Sequence, residues 1–359
     1  MKILVISLAG IGDTLLATPL IDELKASFPN AQLDALVMWA GSRDLLAGNP
    51  ALHLTHHFNM LKEGPWKTFR FLSKLRQERY DVSLNTYPQS KTHYRVISRL
   101  AGARIRVSHS YDNRSWWDGF LVNRELPQTY QVHSVHQNLG LLKLIDAEPR
   151  LTSHRTRLFL SKEDESWAKD YLSSNNLSHR RLVACHVGSG TTKNLSIRRW
   201  PLDYYARLMR SLLGLHPDVR VLLMGGPEER GDHEWLLEQL RDCGGCVLAP
   251  DTRNMKQAAA LLSDCRAFLS IDSALMHLAA AVEVPHQFVI ETATFNKTIE
   301  PFARPYVLIP NPAVKGRNLD YYRYDGEGIR GTREELEALM RSVQPETVFE
   351  TMAPALTSP

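Results

Sequence analysis

The stretch Arg266–Val282, RAFLSIDSALMHLAAAV, decides how this chain is read. Ala267–Ile271 is a short apolar run of the length a buried parallel strand needs. Asp272-Ser273 interrupts it with two polar residues able to cap a helix. Leu275–Val282 follows as small and apolar residues whose helix can pack closely on a sheet. Strand, polar turn and helix together make a site at the carboxyl edge of an open α/β sheet, where such folds bind ligands. The N–H groups at that helix start attract phosphate. Asp272 and His277 fall one turn apart, so one ligand can meet both. The plainer reading makes Asp272 a helix cap and His277 a half-buried surface histidine, and this stretch alone leaves both open.

The chain around it has 359 residues, too many for one ordinary core, so two domains are expected. Its hydrophobic and charged fractions are those of a soluble globular protein. No apolar run reaches the roughly 20 residues of a membrane helix. Met1–Ile6, MKILVI, runs straight into a Gly-rich loop and reads as a first strand, not a signal peptide, so a cytoplasmic location is expected. A net charge of +4 gives no reason to expect a nucleic-acid partner. Cys243, Cys246 and Cys265 could be metal ligands, but no second pair completes a set and Gly244-Gly245 looks like a turn. Reduced thiols and no metal are the expectation.

In the first half, Lys2–Leu8 reads as a strand, Ala9–Asp13 as a tight loop and Thr14–Phe28 as a helix. Asp13 either caps that helix or points from the sheet edge into a cleft. Gln32–Trp39 and Tyr80–Asn85 are further strands, and their alternation with helices implies parallel βαβ units. Trp66–Arg79 places Trp66, Phe69, Leu72 and Leu75 among Lys67, Arg70, Lys74, Arg76 and Arg79. Such a helix either lies on an anionic membrane or packs on the sheet with a solvated face. Between Lys91 and Arg114, six cations, Lys91, Arg95, Arg99, Arg104, Arg106 and Arg114, stand against Asp112. They form either a solvated face or an anion-binding cleft, because arginine reads carboxylate and phosphate well.

In the second half, a capped helix start at Ser161 leads to polar Ser173–Asn176, the expected domain boundary. Arg181–Val187 is a new first strand. It opens into Gly188-Ser189-Gly190-Thr191-Thr192, whose backbone amides can wrap a phosphate. Arg198-Arg199-Trp200-Pro201 follows, with Pro201 opening a helix and both arginines placed to neutralise a pyrophosphate. Val219–Met224 ends in Gly225-Gly226-Pro227 and the acids Glu228-Glu229. Those acids match the dipole of the next helix, or hold a ribose above the sheet. Cys246–Leu248 and Gln287–Ile290 are strands; Glu334–Met340 and Pro345–Phe349 are closing helices.

Four of these segments, in this order, resemble the ADP-heptose:lipopolysaccharide heptosyltransferase family, glycosyltransferase family 9. Gly12-Asp13 with Thr18-Pro19 is like its GD…TP opening. His186-Val187-Gly188 followed by Arg198-Arg199-Trp200-Pro201 is similar to its HxG…K-x-W-P block. Gly225-Gly226-Pro227 with the acids is the third. Asp272–Ala279 is like its D-(T/S)-G-x-x-H-x-A block. The resemblance implies an α/β GT-B fold, two Rossmann-like domains facing each other across a cleft. Residues 1–165 would bind the acceptor, 178–330 the nucleotide sugar, and 331–359 would be helices crossing back toward the N-terminal domain.

It also implies inverting, metal-independent transfer with no cofactor, and no D-x-D occurs in the chain. Asp13 would be the catalytic base. Gly188, Ser189, Thr191, Thr192 and Arg198, with Ser273, Ala274 and Met276 of the helix start, would hold the diphosphate, and His277 would lie beside it. Glu229 would hold the ribose and Asp272 the sugar hydroxyls. Gly12, Lys91, Arg95 and Arg99 would meet an anionic glycolipid acceptor. The expected donor is ADP-heptose and the expected acceptor a lipopolysaccharide inner core or related envelope glycan. A peripheral contact with the cytoplasmic face of the inner membrane accompanies that acceptor. Three departures stand out: Arg198 replaces the family's lysine, Ala274 its glycine, and Thr292–Asn296 its G-P-T-D-P segment. The rival readings are a transferase using another nucleotide sugar, an isomerase resembling nucleotide-sugar 2-epimerases, and an inactive nucleotide-sugar binding module.

Overall fold

The computed structural model describes residues 1–190 and 196–357. They divide into two compact units. The first holds Met1–Phe159, Lys297–Ala303 and Arg323–Gly328; the second holds Leu160–Asn296, Arg304–Tyr322 and the chain from Ile329 onward.

The first unit is built on a six-stranded parallel sheet of β1 (Lys2–Ser7), β2 (Gln32–Val37), β3 (Leu54–His57), β4 (Val82–Asn85), β5 (Ile105–Ser110) and β6 (Arg124–Pro127). Its order is β3-β2-β1-β4-β5-β6, with β1 and β4 meeting where the winding reverses. The central strand KILVIS is buried on both faces, which is why it reads as an unbroken apolar run. Leu16, Leu20 and Leu24, with Val135, Leu139 and Leu142, fill one side of the sheet. Leu72, Leu75, Tyr94, Ile97 and Ala101 fill the other.

Two features of this unit depart from the sequence reading. The helix after β1 is two helices, Ile11–Leu16 and Thr18–Ser27, so Asp13 lies within a first helical turn rather than in a loop. Pro19 has no N–H to donate to the Leu15 carbonyl, and the Thr18 hydroxyl donates to it instead at 2.7 Å. Strands β3, at the sheet edge, and β5, inside it, carry no unbroken apolar run that would mark them in the sequence, because His56 and His57 interrupt the first and Arg106, Ser108 and His109 the second.

The second unit repeats the plan with β7 (Arg181–His186), β8 (Val219–Met224), β9 (Cys246–Leu248), β10 (Ala267–Ser270), β11 (His286–Ile290) and β12 (Val307–Ile309), ordered β12-β11-β10-β7-β8-β9 and all parallel. The winding reverses between β7 and β10. Trp200, 2% exposed, anchors this core and donates its indole N–H to the Val343 carbonyl at 2.9 Å. The helix Pro345–Thr357 lays Val348, Met352 and Leu356 into the same core. The described helices of the 331–359 segment therefore belong to the second unit. So does Lys162–Ser174, which buries Ala168 and Leu172 and packs on the helix Met255–Ser263. The division between units thus falls at Phe159, before this helix, and not at the polar Ser173–Asn176 that ends it.

Candidate active site

In the second unit, the carboxyl ends of four neighbouring strands gather a dense set of charged side chains. β10 ends at Ser270; Asp272, 3% exposed, lies in the turn just after it, and the helix Ala274–Ala281 begins beyond that turn. Among the described residues the Asp272 carboxylate is bonded to Arg198 and Thr294. Arg198 Nη1 donates to its Oδ2 at 2.6 Å, Arg198 Nη2 pairs with its Oδ1, and Nη2 also reaches the Asp272 carbonyl at 3.0 Å. Thr294, from the loop after β11, accepts from Arg198 Nη1 at 2.6 Å and donates to Asp272 Oδ2 at 3.3 Å. Burial pushes the Asp272 carboxyl up, and the Arg198 charge opposes that rise. Arg198 Nε is buried with no hydrogen-bond partner among the described residues.

Ser273 occupies the N-cap position but makes no side-chain cap; its Oγ is hydrogen-bonded to His186 Nδ1 at 3.0 Å. His186 ends β7. Burial holds it neutral, with its pKa down to about 3, and the neighbouring His233 and Arg199 push it the same way. Ala274 is half-buried at the first helical position. Met276 and His277 are buried, and the Met276 carbonyl accepts from Gln287 Nε2 at 2.7 Å.

A second cluster forms at the ends of β7 and β8. Glu229, 2% exposed, accepts the Gly226 N–H on Oε2 at 2.8 Å and Arg199 Nη2 on Oε1 at 2.9 Å. Arg199 also reaches Asp232 at 3.0 Å and donates to Ser189 through Nε and Nη2 at 3.3 and 3.2 Å. Burial raises the Glu229 carboxyl. Gly188 owes its place to this cluster: a Cβ there would lie 2.2 Å from Glu229 Oε1 and 2.4 Å from its Cδ. Thr191 and Thr192 lie outside the described residues.

The sequence names Gly188, Ser189, Arg198, Glu229, Asp272 and Ser273 as candidates, and the structure brings them to one sheet edge. The sequence reading placed Arg199 beside a pyrophosphate without seeing its contacts to Glu229 and Ser189, and it missed Thr294. Thr294 lies in the Thr292–Asn296 segment noted as a departure from the family pattern, but only the packing of two loops brings it to Arg198.

In the first unit, Asp13 follows β1 at the winding reversal. Its Oδ2 accepts the Gly10 N–H at 2.7 Å, and the side chain stays half-buried. Tyr94 and Tyr111 stand nearby; burial raises both hydroxyls, Tyr94 up to about 12, and the Asp13 charge adds to it. Gly12 is buried within the same short helix. The expected acceptor-binding cations do not act as one group. Lys91 is half-buried at the N-cap of the helix Thr92–Ala101, and Arg99 is exposed two turns away. Arg95 is 1% exposed, with Nε on Asp118 at 2.9 Å, Nη1 on the Ser90 carbonyl at 3.1 Å and Nη2 on Thr92 at 3.4 Å. The expectation of a ligand contact there is corrected: all three of its nitrogens serve the fold.

Residues 68–307, well over half of the chain, match the sequence family described as Glycosyltransferase family 9 (heptosyltransferase). The chain belongs to glycosyltransferase family 9. This family 9 chain is similar to the lipopolysaccharide heptosyltransferase 3 of Escherichia coli K12, at 25% identity over 307 residues and 82% of each chain. It is similar to the lipooligosaccharide heptosyltransferase 2 of Haemophilus influenzae, at 26% identity over 303 residues, covering 79% of this chain and 82% of that one. Its fold is that of the glycosyl transferase family 9 from Veillonella parvula, with a TM-score of 0.76 and 16% identity over 99% and 97% of the two chains. It is also that of the Escherichia coli ADP-heptose lps heptosyltransferase II, with a TM-score of 0.73 and 20% identity over 99% and 98%. The family 9 chain is an enzyme, a glycosyltransferase of GT-B fold. The matched span begins after Asp13, whose assignment rests on the GD…TP opening and on its place at the winding reversal.

Proposed function

We propose that this glycosyltransferase moves heptose from ADP-heptose to a lipopolysaccharide inner core or a related envelope glycan, with inversion and without a metal. One observation carries the reading: Arg198, Arg199, Ser189, Glu229, Asp272 and Ser273 converge on the edge of the second sheet where its winding reverses, the place such sheets bind nucleotides. The names of the relatives, and a similar fold determined with ADP-2-deoxy-2-fluoro heptose, supply the donor and acceptor class.

In this reading the Asp13 carboxylate takes the proton of the acceptor hydroxyl as that oxygen attacks the anomeric carbon. The bond to the diphosphate breaks on the opposite face, and a single displacement inverts the centre. Charge grows on the leaving ADP, and the two arginines with the amides after β7 stabilise it there. Removing one such donor typically costs 10²–10³ in turnover, on the order of 3–4 kcal/mol. Glu229 holds the ribose and Asp272 the sugar hydroxyls. Among the described residues no helix is long and apolar enough to cross a membrane; a peripheral contact at the cytoplasmic face of the inner membrane would bring the enzyme to a glycolipid acceptor.

Asp13→Asn tests the base. Transfer should fall by roughly 10²–10⁴ while ADP-heptose binding, read by calorimetry, stays near wild type. Near-wild-type turnover in that variant would end the assignment. The anomeric configuration of the product checks inversion, and turnover in excess chelator checks metal independence. A second reading, the same transfer from another nucleotide sugar, is favoured by the tight hold of Arg198 and Thr294 on Asp272. A thermal-shift screen of nucleotide sugars separates the two, because only a ligand of the folded enzyme raises its melting point.

A further inference from the structure

The first unit gathers its exposed aromatic side chains on one layer of helices. The helices Pro65–Gln77 and Thr92–Ala101 pack side by side on the same face of the sheet, with Leu72, Leu75, Tyr94 and Ile97 turned inward. The short helix Asp118–Leu121 continues the layer, locked by the buried Arg95–Asp118 pair and by Arg106 Nε on the Leu121 carbonyl at 2.8 Å. On the outer side stand Trp116 (82% exposed), Trp66 (75%), Leu61 (70%), Phe120 (69%), Phe69 and Trp117. Trp66 stacks on Phe69 and Trp116 meets Phe120 edge-on, so these side chains form clusters rather than scattered singles. Scattered exposed apolar residues need no explanation; clusters of large ones mark an interaction surface.

The charge around the Trp66–Phe69 cluster is mainly positive. From Met60 to Gln77 there are Lys62, Lys67, Arg70, Lys74 and Arg76 against Glu63 alone, and Glu63 is already paired with Lys67 at 2.8 Å. Along the next helix Arg99 is exposed beside Val96 and Leu100. A two-fold contact between copies would set this cationic face against itself. Protein interfaces deplete lysine, whereas here lysines alternate with the aromatic residues. Tryptophan and phenylalanine at the tips of a basic helix layer match the headgroup region of an anionic bilayer, apolar within and negative at its surface.

We infer that this helix layer, centred on Trp66, Phe69, Trp116 and Phe120, is the face by which the enzyme docks on an anionic phospholipid membrane. This deepens the peripheral contact proposed above and rests on it: the aromatic side chains enter the headgroup layer while Lys62, Arg70, Lys74 and Arg99 meet lipid phosphates.

The test is flotation of the full chain with vesicles. The wild type should float with vesicles of phosphatidylethanolamine and phosphatidylglycerol, not with phosphatidylcholine alone, and less so as salt rises. The quadruple variant Trp66→Ser, Phe69→Ser, Trp116→Ser, Phe120→Ser should lose at least tenfold in vesicle affinity, and Trp116→Ser alone should show a smaller loss on an unchanged fold. Arg70→Glu with Lys74→Glu should weaken binding and flatten its salt dependence. All of these should turn over a water-soluble acceptor lacking lipid at the wild-type rate. A wild type that ignores anionic vesicles, a quadruple variant that binds them as before, or a solution dimer abolished by the same substitutions each overturns the proposal. Vesicle binding without transfer to any acceptor would instead overturn the catalytic reading and leave this surface standing.

Discussion

Arg198 grips both carboxylate oxygens of Asp272, 74 positions along the chain, and Thr294 closes the third side of the pair. Two of the chain's departures from its family's motifs therefore meet in one structure. An arginine in place of lysine can bind a carboxylate with two parallel hydrogen bonds, and a threonine in the altered loop takes its remaining reach. The pair is buried, so removing one partner leaves an uncompensated charge. Asp272→Asn should cost about 3–5 kcal/mol by urea unfolding. The double variant Arg198→Met, Asp272→Leu should recover most of that stability, because well-packed apolar side chains replace buried ion pairs at little cost. It should nevertheless lose nucleotide-sugar binding by calorimetry. A double variant that binds the donor like wild type would remove Arg198 and Asp272 from the donor site and leave their structural pairing intact.

Gly188 is a place where one methyl group reports on the site. The Cβ of Gly188→Ala would collide with the Glu229 carboxylate, and Glu229 could escape only by leaving the Gly226 N–H and Arg199. The expected result is a loss of about 1–3 kcal/mol in stability, as for other overpacked sites, together with at least tenfold weaker ADP binding. Gly214, in a helix with nothing within 4 Å of the same added atom, is the control. Gly214→Ala should stabilise by up to about 1 kcal/mol and leave ADP binding alone. Equal effects at both positions would mean that Glu229 is not held as described.

Much of this was legible in the chain. Apolar runs such as KILVIS and RLVACH announce strands buried on both faces, and each is followed within three residues by glycine, Gly10 after the first and Gly188 after the second. Those runs sit at the centre of each sheet, so the reading placed its candidate residues at the winding reversal of each sheet. What it missed lies where physics is less local. The edge strands β3 and β12 are partly solvated and carry a mixed pattern. β5 hides behind Arg104 and Arg106; the Arg106 guanidinium satisfies the Leu121 and Ala103 carbonyls, which no linear pattern reveals. The assignment of Lys297–Ala303 to the first unit depends on His133 and Ser134 bonding to the Glu300 and Thr298 carbonyls, more than 160 positions away.

The basic run Lys91–Arg114 splits into residues with opposite duties, which mutation can separate. Arg95 is buried against Asp118 and Arg99 is exposed. Arg95→Ala should destabilise the first unit by about 3–5 kcal/mol, since Asp118 is left charged and dry. Arg99→Ala should change stability by less than about 0.5 kcal/mol. If the exposed cations draw in an anionic acceptor, Arg99→Glu raises the acceptor KM with kcat unchanged, and the effect shrinks with added salt. An Arg99→Glu enzyme with wild-type KM at low salt would exclude Arg99 from the acceptor path.

Acid should begin to destabilise this protein above the ordinary carboxylate range. His109 and His133 of the first unit are held neutral by burial, each with its pKa lowered to about 4, and that of His186 of the second is lowered to about 3. In the unfolded chain each would titrate at the ordinary value of about 6.5. Between those limits the unfolded state binds more protons than the folded one, so stability rises with pH. The contribution of each histidine is fully present above about 6.5 and is lost as pH falls toward its folded value, reaching roughly 3 kcal/mol for His109 and His133 at about 1.36 kcal/mol per unit and more for His186. Asp34 acts lower still: burial opposes its ionisation, but hydrogen bonds from His56, Tyr80, Gln32 and His53 outweigh that and bring it to about 2, so its share is lost only below about pH 4. Urea midpoints at pH 7.5, 6 and 5 should therefore fall steadily with little change in m. The slope should be shallower in His109→Gln, whatever that change does to absolute stability. A midpoint that stays flat from pH 7.5 to 5 would mean these histidines titrate normally in the folded protein, against the burial observed for His109 and His186.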